Sequence, residues 1–184
     1  MSQLQDAKQP LTRLAGPYGH PLHPMVIPIP IGAWVLSLVF DVASRVGPDR
    51  MQMARGAWWL IGLGVLGALA AATLGFLDLM AIPTGTRVFR IGLLHAGANL
   101  TATALFLVGF LLRRGHLDDA GGVPLALIAL SVVAVLVLGA GGFLGGELAY
   151  RYGVRVADEA TQAHGYTTTT AATAGQPGAV AERR

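Results

Sequence analysis

Long apolar stretches alternate with short polar ones along most of this chain, and the apolar stretches are too long and too even to be strands. Four of them run from about residue 30 to 46, 57 to 82, 88 to 112 and 123 to 148. A helix rises about 1.5 Å per residue, so roughly 20 apolar residues cross the ~30 Å hydrocarbon layer of a bilayer. The pattern therefore predicts an all-α fold, an integral membrane antiparallel four-helix bundle. A soluble helical domain rarely contains four runs of that length.

Composition agrees. Hydrophobic residues make up 53% of the 184, and charged residues only 12%, about half the share usual in soluble domains. The expected organisation is a polar N-terminal arm (1–18), a membrane domain (19–156) and a disordered C-terminal tail (157–184), whose Thr, Ala and Gly residues bury too little to order it. The first 19 residues lack the apolar core of a cleavable signal peptide, so the first span is expected to direct insertion. There is no cysteine, which excludes disulfides, thiolate metal ligands and covalent c-type haem. The net charge of +3 is read as arginines meeting lipid head groups, not as nucleic-acid binding.

Four spans put both termini on one side, here called the front. Lys8, Arg13, Arg87, Arg90, Arg151 and Arg155 flank the spans at the front, and Arg45, Arg50, Arg55, Arg113 and Arg114 at the back. Six against five does not orient the protein. A multi-pass protein of the bacterial inner membrane with a cytoplasmic front is the expectation. Small residues recur at four-residue spacing in span two (Gly64, Ala68, Ala72) and span four (Gly141/Gly145, Gly142/Gly146), where they let helix backbones approach. Gly62-x-Gly64-x-x-Gly67 matches a dinucleotide fingerprint but lies inside a span, without the strand–turn–helix setting it needs.

Ionisable groups within a bilayer mark function by default. The antiparallel topology gathers five of them at the front: His20 and His23 before span one, Asp78 late in span two, His95 in span three and Glu147 at the end of span four. His95 lies two turns in, roughly 10 Å deep. His95, Asn99 and Thr103 form one polar stripe, expected to face the bundle interior. Thr84 or Thr86 is expected to cap span three.

The segment "GHPLHPMVIPIPIG" (19–32) carries two His-Pro pairs and two further prolines. Proline disfavours a helical conformation in the residue before it. Gly19 to Ile29 is therefore expected to be extended, a lid that presents His20 or His23 over His95, with span one starting near Pro30. Simpler roles are also open. Asp78 can pair with Arg87 or Arg90, Glu147 with Arg151, and Asp41 with Arg45 as an i,i+4 pair.

The motifs "GHPLHPMVIPIPIGAW" followed by "FD", then "LGFLDLMAIPTGT", "LLHAGANL" and "GGELAYRYGVRV" resemble the domain-of-unknown-function 2231 family of bacterial membrane proteins, over Gly19 to Val156. Pro28 stands where many relatives carry another histidine. Some relatives are fused to Rieske-type iron–sulfur domains, so the resemblance implies redox partners.

Two functional readings follow. In the first, the front site binds haem b through His95 with His23 or His20, Arg87 and Arg90 meeting the propionates, or holds a divalent metal ion with ligands from His20, His23, Asp78, His95 and Glu147. The protein would then be an electron-transfer subunit with a membrane redox partner. In the second, the cluster is a structural latch in a membrane scaffold or accessory subunit. No nucleophile–base pair or phosphate-cradling loop is present, so no catalytic residue is assigned.

Overall fold

The computed structural model describes residues 7–17 and 20–165. The rest of the polar arm and the tail beyond 165 lie outside the described residues. Short α1 (Leu22–Val26) leads into α2 (Pro28–Val46), followed by α3 (Arg50–Met80) and α4 (Arg87–Arg113). A 3₁₀ turn (Arg114–His116) precedes α5 (Leu125–Gly146), which ends in a π-helical turn (Glu147–Arg151). Short α6 (Glu159–Gly165) follows at the start of the tail segment. Among the described residues, four helical segments are long and apolar enough to cross a membrane. α2 packs chiefly on α3 and α4 on α5, and thinner contacts join these two hairpins.

Burial is distributed as lipid requires. Leu63, Leu66, Leu111 and Leu136 are exposed on the outer surface, whereas Ser37, Asp41, Ser44, Arg113 and Ser131 are buried. The core between the hairpins is a layer of Trp34, Ile61, Val65, Ala102, Phe106, Ala134 and Leu138. Trp34 stacks on Phe106 with centroids 4.3 Å apart, and its indole N–H donates to the Ile61 carbonyl. Gly64 makes room for that ring: a Cβ there would lie 2.3 Å from Trp34 Nε1. The glycines of span two are thus slots for side chains of neighbouring helices.

The expected extended segment is not found. Residues 22–26 are helical, and Ile27, although it precedes a proline, is itself in the helical region (φ −57°, ψ −27°). The reason is where the prolines fall. Pro24 lies in the first turn of α1, and Pro28 and Pro30 in the first turn of α2, where a backbone N–H has no intrahelical partner to lose. The Ile27 and Ile31 N–H groups still donate to the His23 and Ile27 carbonyls, so the chain stays coiled across the junction. Thr86 caps α4, its hydroxyl oxygen accepting from the Phe89 N–H at 3.1 Å.

Candidate functional site

At the front end, α1 lies against α3. The His23 Nδ1 is 2.8 Å from the Ala71 carbonyl, and Gly75, one turn on, leaves room for the ring: a Cβ there would be 3.0 Å from His23 Cε1. His95, on α4, repeats the arrangement against α5. Its Nδ1 is 2.8 Å from the Gly141 carbonyl, and a Cβ at Gly145 would be 2.8 Å from its Cε1. The two imidazoles stand edge to face, with centroids 6.3 Å apart and planes at 86°.

The carbonyl partners fix the tautomers. A carbonyl oxygen only accepts, so each Nδ1 carries the hydrogen and donates it. In the neutral ring the lone pair is then on Nε2. Asn99 approaches His95 Nδ1 at 3.3 Å, but both are donors, and the amide donates instead to the His95 carbonyl at 2.8 Å. Neither Nε2 has a protein hydrogen-bond partner among the described residues. Imidazoles that ligate metal are typically held this way, one nitrogen donating to a carbonyl or carboxylate and the other free.

The other sequence candidates are placed differently. His20 is exposed. Asp78 does not pair with Arg87 or Arg90 but with Arg155, Oδ1 to Nε at 3.0 Å, both side chains largely buried. The sequence reading missed this partner because Arg155 comes after the last span. Glu147 pairs with Arg151 at 3.0 Å, and Arg87 and Arg90 are exposed at the start of α4. Among the described residues, no group of three or more His, Cys, Asp or Glu is close enough to hold a metal ion. The wider set of five is therefore not assembled as a ligand shell; His23 and His95 alone adjoin.

A second polar site lies at the back. Arg113, 1% exposed, donates from Nη2 to Asp41 Oδ2 at 2.7 Å, to the Leu127 carbonyl and to Ser131 Oγ. Ser131 in turn donates to Asp41 Oδ2 at 3.2 Å. This joins α2, α4 and α5. Asp41 does not pair with Arg45, as the sequence suggested; Arg45 donates to the Gly121 carbonyl at 2.8 Å. The i,i+4 pairing fails because Asp41 points into the bundle, where the charge of Arg113 is the available compensation. A signal was present in the sequence: Ser37, Asp41 and Ser44 fall on one helix face, as His95, Asn99 and Thr103 do.

Comparison with known proteins agrees with this architecture. The family model described as predicted membrane protein (DUF2231) matches residues 19–158. The chain belongs to that family of predicted membrane proteins. No curated protein and no solved structure matches it.

Proposed function

We propose that this protein is a small subunit of the bacterial inner membrane that holds a redox-active metal between His23 and His95, as haem b iron or as a single ion, and exchanges electrons with a membrane partner. One observation carries the reading: both imidazoles donate their Nδ1 hydrogen to a carbonyl of another helix, leaving an Nε2 lone pair on each of two rings whose centroids are 6.3 Å apart. In the haem form, Arg87, two turns before His95 on the same helix face, and the neighbouring Arg90 are the cations available to propionates. The metal would supply a one-electron couple. The chain fixes the two rings, their tautomers and the apolar surroundings that set its potential.

The apolar layer of Trp34 and Phe106 between the front and back polar sites favours electron exchange at one face over proton conduction through the bundle. The alternative reading is a scaffold in which both polar sites are latches, and it is favoured by the Asp41–Arg113–Ser131 network, which joins three helices without any ligand. Thermal melting separates the two. Added haemin, copper or zinc should raise the melting temperature of the parent but not of His23→Ala or His95→Ala, because a ligand stabilises only the state that binds it. Equal responses of all three proteins would leave the scaffold.

A further inference from the structure

Little in α1 itself fixes the position of His23. The helix has five residues, none of them buried, and begins after Pro21, which offers no side-chain cap. Its C-terminal end runs on into α2 through the Ile27 N–H bond to the His23 carbonyl at 3.2 Å. Across to α3 there is the His23–Ala71 bond, and one such bond contributes only about 0.5–1.5 kcal/mol net. The N-terminal end of α1 needs a further support.

The N-terminal arm supplies it. A turn closed by the Ala15 N–H on the Thr12 carbonyl at 3.1 Å brings the Ala15 carbonyl to 3.5 Å from the Leu22 N–H, the first of α1. The His20 N–H donates to Pro17 at 3.2 Å. Gly16 lies so close that a Cβ there would be 2.3 Å from the His20 carbonyl oxygen. Ala15 is 1% exposed, whereas Leu14 beside it is 75% exposed. The turn is therefore seated by its backbone at Ala15, not by its larger apolar side chains.

Arg155 holds the turn in that seat. Its Nη2 donates to the same Ala15 carbonyl at 3.2 Å, its backbone N–H donates to the Ala7 carbonyl at 3.1 Å, and its Nε lies 3.0 Å from Asp78 Oδ1. Asp78 follows Ala71 and Gly75 at helical spacing on one face of α3, the face that receives the His23 ring. One helix face thus carries both the seat of the imidazole and the countercharge of this arginine. Arg155 also adopts φ +60°, uncommon for a residue with a Cβ. Such a conformation costs about 1–3 kcal/mol and persists where its surroundings impose it, as the contacts to Ala7, Ala15 and Asp78 do here.

We propose that Arg155 is a positioning residue for His23: clasped between Asp78 and the Ala15 carbonyl, it holds residues 12–17 against α1 and so keeps the His23 ring beside His95. Its effect on metal binding rests on the histidine pair being the metal site; its effect on the placement of α1 does not.

The chain has no cysteine, so spin labels on Met25→Cys in α1 and Phe143→Cys in α5, both exposed positions, report the placement of α1 without background. In the metal-free parent in lipid nanodiscs the distance distribution should be narrow. It should broaden in Arg155→Lys, which keeps a charge opposite Asp78 but has one nitrogen where the arginine uses two. It should broaden also in Gly16→Ala, which leaves Arg155 and Asp78 in place but forces the turn away from His20. Cobalt(II) affinity, read from visible absorption, should fall about tenfold or more in both, as when the support of a ligating histidine is lost. A parent-like distribution in Arg155→Lys or in Gly16→Ala overturns the positioning role and leaves Arg155 only neutralising Asp78. Broadening in both variants, with no cobalt bound by the parent, supports the positioning role and overturns the metal reading instead.

Discussion

His23 and His95 stand edge to face at 6.3 Å, each donating its Nδ1 hydrogen to a helix other than its own: His23 to Ala71 on α3, His95 to Gly141 on α5. The pair therefore joins the two hairpins of the bundle and leaves both Nε2 atoms without a protein partner among the described residues. Without added ligand, His95→Ala should cost about 1–3 kcal/mol, from a lost hydrogen bond and the space left beside Gly145. Denaturant titration in mixed micelles measures it. With metal or haem bound, the difference from the parent should grow with ligand concentration.

The slot glycines and the open glycines should behave oppositely. A Cβ at Gly145 would meet the His95 ring at 2.8 Å, whereas Gly142, on the same helix, has nothing within 4 Å. Gly142→Ala should be neutral or stabilising by up to about 1 kcal/mol, since alanine is the better helix former. Gly145→Ala should destabilise the bundle and displace His95, lowering metal affinity as well. Melting curves with and without metal distinguish the two substitutions.

The buried pair at the back calls for a double-mutant cycle. Asp41→Ala or Arg113→Ala strands a charge that is essentially unexposed, at a cost of about 3–5 kcal/mol. Asp41→Leu with Arg113→Met removes both charges and should recover most of that loss. Both measurements belong on the unliganded protein. Metal affinity at the front should change little in the double variant, because the Trp34–Phe106 layer lies between the two sites.

Part of this was legible from hydropathy and part was not. The four spans follow from the apolar runs, although α3 starts at Arg50, before the apolar run, its first-turn carbonyls accepting from the N–H groups of the turn that follows. The Thr86 cap follows from residue type and position. The nearness of a pre-span histidine to His95 follows from antiparallel topology. The extended lid does not survive, because first-turn positions tolerate proline better than the simple pre-proline rule implies. The pairs Asp41–Arg113 and Asp78–Arg155 were not legible: each partner lies more than 70 residues away, and nearer arginines offered equally good charge complements. Only packing selects among them.

Topology has its own test. Cysteines placed at Gln9 and Thr161 should be labelled by an impermeant thiol reagent from the same side of the membrane, and one at Asp118 from the other. Opposite accessibility of Gln9 and Thr161 would contradict a bundle whose residues 7 and 155 are hydrogen-bonded.

The central claim is that His23 and His95 are a metal site. Its most direct test is the visible absorption spectrum, with elemental analysis per chain, of the protein extracted in mild detergent from the membranes of its own cells. The account predicts about one haem, or one transition-metal ion, per chain, lost together in His23→Ala and His95→Ala. A colourless, metal-free parent that takes up neither haemin nor any added transition metal would contradict it.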